Sequence, residues 1–163
     1  MNKLVEVPQI DNKVRIGEPS DFQELFRICC LLHAENGSHS FNELKVREII
    51  WRAVNRDGGI VAVIGPHDDI KAMLLLTIDE IFYSDEQVLN ERWHFVRPDC
   101  RRSDFAKQMI KFAKKCADET GLMLYIGIIS EKQLEAKRRL YERLLPLGGY
   151  WFTHRPSVQE GIR

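Results

Sequence analysis

Apolar residues along the chain fall into two rhythms, short β-type runs and longer stripes at helical spacing. After an N-terminal arm over residues 1–12, where Val5, Pro8 and Ile10 show little period, Val14-Arg15-Ile16 alternates and predicts a first strand. Pro19-Ser20-Asp21 then opens a helix whose stripe is Phe22, Leu25, Phe26, Cys29, Leu32 and His33, and Asn36-Gly37 ends it. Ser40 with Glu43 reads as a capping box for a second helix, with Val46, Ile49, Ile50, Ala53 and Val54 inward. Asp57-Gly58-Gly59 breaks the helical period. Ile60–Ile64 and the run from Ile70 to Phe82, joined by turn residues Gly65 to Asp69, predict a hairpin. Met73-Leu74-Leu75-Leu76 is apolar on both faces, as a strand covered by helices on both sides must be. Tyr83 to Glu86 is a loop, and Val88 to Val96 a fourth strand. Phe105, Met109, Phe112 and Cys116 form a third helical face, which Gly121 ends. Leu122 to Ile129 reads as a strand apolar on both faces. Ser130 starts a charged helix with Leu134, Leu140, Tyr141, Leu144 and Leu145 on its apolar side, and Tyr150 to His154 forms a last strand.

The predicted order is therefore β-α-α-β-β-β-α-β-α-β in one domain spanning residues 1–163, with a short tail over 155–163. Strand-helix-strand units require a partly parallel sheet. The expected class is an α/β (α+β) three-layer sandwich with a mixed central sheet.

Composition narrows the partners. Of 163 residues, 44% are hydrophobic and 29% charged, and the formal net charge is zero. Such a chain has an ordinary core and no global field directed at nucleic acid or a membrane. There is no apolar run of bilayer length and no signal-peptide core at the start of the sequence. Cys29, Cys30, Cys100 and Cys116 do not recur at metal-ligand spacing, so reduced thiols, a cytoplasmic compartment and no metal are expected.

The stretch Trp93 to Lys107 carries the candidate chemistry. An apolar β-type run ends at Val96, and Pro98 stops it for want of an N–H. A basic turn holding Arg97, Arg101 and Arg102 follows, and then a helix that Ser103 or Asp104 can cap. A strand, a basic turn and a helix N-terminus together can hold a phosphate on free N–H groups and the positive end of a dipole. Val96, Pro98, Arg101 and Ala106 also match the signature of the GNAT N-acetyltransferases, which the element order resembles as well. The family pattern is a valine ending strand four, a proline two on, then Arg or Gln, two residues, Gly, one residue, and Gly or Ala.

That resemblance implies acetyl-CoA as cosubstrate and transfer of its acetyl group to a primary amine of a small molecule or protein. It assigns the amides of Arg102, Ser103, Asp104, Phe105 and Ala106 to the pyrophosphate. It assigns the backbone of Phe95, Val96 and Arg97 to the acyl chain, held between splayed strands four and five. The first signature glycine is here Asp104, whose carboxylate either repels the anion or caps the helix. Leu140-Tyr141-Glu142-Arg143-Leu144 resembles the family's Leu-Tyr-Glu-Lys-Leu-Gly-Phe segment, which makes Tyr141 the candidate acid for the leaving thiolate. Leu145 to Gly148 intervene before the expected Gly-aromatic pair, and Leu134 stands where an asparagine is common. Ser130 or solvent is the alternative proton source.

Glu91 and His94 are the candidate bases. Strict alternation sets Asn90, Arg92, His94 and Val96 on one face and Glu91, Trp93 and Phe95 on the other. A water-mediated base is equally compatible. Arg97, Arg101, Arg102, Lys107, Lys111, Lys114 and Lys115 cluster on the expected cofactor side, while Asp79, Glu80, Asp85 and Glu86 are expected to favour a cationic acceptor. A catalytically inactive GNAT-like binding module, without nucleic acid or membrane, is the competing function. Trp151 and Phe152 in a final edge strand predict a homodimer.

Overall fold

The computed structural model describes residues 14–37, 39–128 and 133–149. Its sheet has the order β1-β2-β3-β4-β5, from Val14–Ile16, Gly59–Ile64, Ala72–Glu80, Gln87–Val96 and Met123–Tyr125. The first four strands are antiparallel neighbours, and β4 pairs with β5 in parallel. Helices α1 (Phe22–Asn36) and α2 (Glu43–Val54) cover one face, and α3 (Phe105–Thr120) covers the other.

Period two sorts β2 and β3 between the two layers. Val61, Val63, Met73 and Leu75 pack with Leu25, Ile28, Cys29 and Ile50 under the α1–α2 layer. Ile60, Ala62, Leu74 and Leu76 pack with Met109, Phe112 and Cys116 under α3. Both strands are thus buried on both sides, as their unbroken apolar runs require. Burial pushes the Cys29 and Cys116 thiols up to about 12, so both are held as inert, apolar thiols.

The helix ends differ in detail from expectation. Asn42, not Ser40, caps α2, its side chain accepting from the Lys45 N–H at 3.0 Å. Asn is as good a cap as Ser, and the first helical residue is Glu43 itself. At α3 the Ser103 hydroxyl accepts from the Phe105 N–H at 3.2 Å and donates to the Cys100 carbonyl at 2.6 Å, whereas the Asp104 side chain makes no cap bond. Gly121 closes α3 at φ 69°, a left-handed position that suits glycine.

Two expectations fail at the far edge. The described strand there is Met123–Tyr125 rather than Leu122 to Ile129, and Met123 and Tyr125 are 62% and 47% exposed. Their apolar side chains do not make a strand buried on both faces. The charged helix, α4 (Leu134–Leu144), begins at Leu134 with Gln133 in a left-handed conformation, and Tyr141 is its buried residue. Leu134 is exposed. Ser130, the N-terminal arm and the expected last strand with Trp151 and Phe152 lie outside the described residues.

Candidate active site

Strand β4 carries two of the candidate residues, and one irregularity in it sets which way they face. Along β3, Leu74 pairs with His94 and Leu75 with Trp93, but Leu76 pairs with Glu91. Arg92 is the extra residue of a β-bulge, so the alternation of side chains changes phase there. Leu74 and Leu76 lie on the α3 face, so His94 and Glu91, paired with them, lie on that face too. The sequence expectation that Glu91 and His94 occupy opposite faces is therefore corrected. Arg92 turns to the α2 side, where it bonds Thr77 at 2.9 Å and Asp79 at 2.7 Å.

Helix α4 completes the cluster. The Tyr141 hydroxyl lies 2.8 Å from His94 Nδ1, and the rings stack with an interplanar angle of 12°. The Gly127 N–H donates to the Glu91 carboxylate. Glu91 Oε2 and His94 Nε2 are both shielded from solvent and have no hydrogen-bond partner among the described residues. Orphaned buried acceptors and donors are costly, and they persist at sites that await a ligand or water.

Burial sets the protonation states. It pushes the Glu91 carboxyl up to about 7, against the nearby Lys137 cation and the Gly127 bond, which lower it. It pushes His94 down to about 4, with Lys137 adding to the effect, so the imidazole is neutral near pH 7. The Tyr141 phenol is pushed up by burial and by Glu91, and stays protonated. A carboxyl poised near neutrality suits a general base, whereas an imidazole poised near 4 is a weak one.

The pairing of β4 with β5 ends beside this cluster. β4 and β5 pair only over Val88↔Met123, Leu89↔Leu124 and Asn90↔Tyr125. Beyond Asn90, β4 continues to Val96 while β5 stops at Tyr125, which leaves a gap in the β4–β5 pairing from Glu91 on. β4 itself runs on to the turn before α3, where Phe105, Ala106 and Lys107 supply first-turn amides. Val96 and Phe105 pack on the α3-side core, while Phe95 is buried on the other face.

The turn is less available to an anion than the sequence suggests. Arg97 forks onto Asp99 and also pairs with Asp69. Arg101 pairs with Glu35 at the end of α1 at 2.5 Å, donates to the Val96 carbonyl at 3.3 Å, and overlies the Phe95 ring. Arg102, Ser103 and Asp104 are exposed. Asp79, one of the acids expected to favour a cationic acceptor, is already engaged. Arg92 and Asn90 bond it, and their bonds hold its carboxyl below the usual range despite desolvation.

Lys137, Gly127 and Glu35 escaped the sequence reading. Lys137 had a signal: it stands four residues before Tyr141, on the same helix face. Glu35 and Gly127 meet the site only through tertiary packing. No group of three or more His, Cys, Asp and Glu side chains that could hold a metal occurs among the described residues.

Compared by sequence, the chain matches no protein-family model and no curated protein. Its shape does match solved structures. A Trypanosoma brucei acetyltransferase is 21% identical, with a TM-score of 0.61 over 90% of this chain and 99% of that one. A predicted acetyltransferase from Clostridium acetobutylicum, solved with acetyl-CoA, is 11% identical, with a TM-score of 0.68 over 87% and 94%. An aminoglycoside acetyltransferase from an uncultured soil metagenomic sample, in complex with sisomicin, is 16% identical, with a TM-score of 0.63 over 93% and 100%. At these identities the likeness is one of architecture, and the chain has the GNAT-like N-acetyltransferase fold.

Proposed function

We propose that this chain is an N-acetyltransferase that passes the acetyl group of acetyl-CoA to a primary amine. The observation that carries the reading is the bulge at Arg92, which brings Glu91 to the face where Tyr141 meets His94, beside the β4–β5 gap. Acetyl-CoA supplies an activated acyl carbon, and the chain supplies the proton transfers. The acceptor must lose a proton as its nitrogen bonds to that carbon, and Glu91 takes it directly or through one water. As the C–S bond breaks, the Tyr141 O–H donates to the departing sulfur. His94 orients Tyr141: with its proton on Nδ1 it donates to the phenol oxygen and leaves the O–H directed at the gap. Glu91 then returns its proton to the tyrosine or to solvent, and the products are an N-acetyl amide and a thiol.

The Phe95–Arg97 backbone along the gap and the Arg102–Ala106 turn are the proposed cofactor contacts. Arg101 reaches a phosphate only by leaving Glu35. A small-molecule acceptor is favoured, by analogy with the sisomicin complex of a neighbour of the same fold. Calorimetric titration with acetyl-CoA, followed by thiol release against a panel of aminoglycosides, polyamines, amino acids and lysine peptides, tests the reading. Saturable binding and one acceptor giving thiol release above hydrolysis support it. No heat with millimolar acetyl-CoA removes it.

A non-catalytic binding module is the second reading. It is favoured by Asp104 at the head of α3 and by the ion pairs that engage Arg97 and Arg101. It is distinguished by ligand binding without turnover for any acceptor.

A further inference from the structure

Beside the last turn of α2, on the sheet face opposite Glu91 and His94, the packing leaves a cavity of ≈ 140 Å³. Its cause is local. Gly59 and Thr77 are a register pair of β2 and β3, and at period two they continue the α2-side face of Val61 and Leu75. Gly59 puts no side chain there, and a Cβ would come within 2.8 Å of the Leu76 carbonyl oxygen. Helix α2 ends at Val54, so its apolar cover ends here as well. The bulge in β4 then sets Arg92 in the wall of the space that is left.

The charged groups of the lining are Arg52, Asp57, Asp79 and Arg92. Asp79 is fully engaged: Thr77 and Asn90 donate to it, and Arg92 Nη2 reaches both of its oxygens at 2.9 and 2.7 Å. Arg92 Nε donates to Thr77 at 2.9 Å, and its Nη1 has no partner among the described residues. Arg52 Nε donates to Asp57 Oδ2 at 3.0 Å, which leaves both Arg52 Nη groups and Asp57 Oδ1 without a partner among the described residues. Gly58 gives that guanidinium its room, since a Cβ there would lie 3.0 Å from Nη2. Spare donors from two arginines and one spare carboxylate oxygen thus border a single small space.

We propose that this cavity is a binding site, separate from the acetyl-transfer cluster, for the zwitterionic head of a small α-amino acid. The ligand carboxylate takes the spare N–H groups of Arg52 and Arg92, and its ammonium takes Asp57 Oδ1. Guanidinium forks suit a carboxylate, and such charge-assisted bonds are the strong ones. The size agrees: a cavity of about 150 Å³ takes one benzene molecule, which has the heavy-atom count of alanine. The charge agrees as well, because two cations and two anions in the lining balance a ligand with no net charge. Inorganic phosphate fits the volume but not the charge, since two carboxylates stand beside it. The site lies on the other sheet face from Glu91 and His94, so the proposal does not depend on the acetyltransferase reading.

The test follows the guanidinium Nε–H signals of the unaltered protein by NMR during titration with L-alanine, and separately with propionate, ethylamine and inorganic phosphate. Arg52→Gln and Arg92→Gln assign the two signals. L-alanine is expected to shift both saturably, with a midpoint on the order of 1–10 mM for so small a ligand in an open cavity. Propionate and ethylamine each keep half of the recognition and should bind at least about tenfold more weakly. Arg52→Gln and Asp57→Asn, both on exposed side chains, should each weaken L-alanine at least about tenfold, and Tyr141→Phe should leave its binding as it was. No shift with about 50 mM L-alanine overturns the proposal, as does propionate or phosphate binding as tightly as L-alanine. Those results are read on the unaltered protein and need no variant to fold. Loss of L-alanine binding in Tyr141→Phe would place the ligand at the transfer cluster and overturn the proposal too.

Discussion

At the residue scale, burial gives the three side chains of the proposed site unlike acid–base properties. Glu91 and His94 are both titratable groups on one strand face, and desolvation drives them in opposite directions, to about 7 and about 4. The carboxyl is thereby the better base and the imidazole the better neutral hydrogen-bond partner for Tyr141. Tyr141→Phe keeps the ring that stacks on His94 and removes only the hydroxyl. Acid assistance is worth roughly 100- to 10,000-fold, so thiol release with a true acceptor should fall at least about tenfold while acetyl-CoA affinity changes little. Turnover unchanged in that variant would move the proton source to solvent. Glu91→Gln is expected to lower turnover by about 100-fold or more and to abolish the acid limb near pH 7. A rate profile that keeps that limb would assign it to another group.

Elements explain why part of this was legible beforehand. The two-sided runs of β2 and β3, the α3 stripe and the Gly121 cap were readable because each obeys a local period or a local steric rule. The burial of Tyr141 was readable from the apolar side of its helix. The facing of Glu91 was not, because the bulge at Arg92 is a matter of pairing with β3, and no residue in Asn90-Glu91-Arg92-Trp93 marks it. The engagement of Arg101 by Glu35 was equally hidden, since 66 positions separate the partners. This pair matters for the turn before α3. The Asp104 residue stands at the head of α3, and its side chain makes no cap bond there. Asp104→Gly is expected to tighten acetyl-CoA binding several-fold in calorimetry at low salt, with the gain shrinking as salt screens it. Equal affinity in the two proteins would show that Asp104 is harmless to the anion.

For the whole molecule, burying Glu91 and His94 side by side leaves a mark on stability that does not depend on any substrate. A carboxyl raised from 4.5 to about 7 binds its proton more tightly in the folded state, so folding is favoured at low pH and that contribution is lost as pH rises between those values. An imidazole lowered from 6.5 to about 4 does the reverse, contributing stability above 6.5 that is lost as pH falls toward 4. Between about 4.5 and 6.5 the two slopes oppose each other, so the pair contributes little net change in stability with pH across that window. Glu91→Gln removes one slope. The variant should be more stable than the unaltered protein at pH 8, by on the order of 1–3 kcal/mol, because no buried carboxylate must then be ionised. Its stability should fall steadily as pH is lowered from 6.5 to 4.5, a fall that the native glutamate masks. Urea midpoints at half-unit pH steps measure both effects. Parallel curves for the two proteins across that range would mean that Glu91 is solvated in solution, and the base would then have to be sought elsewhere.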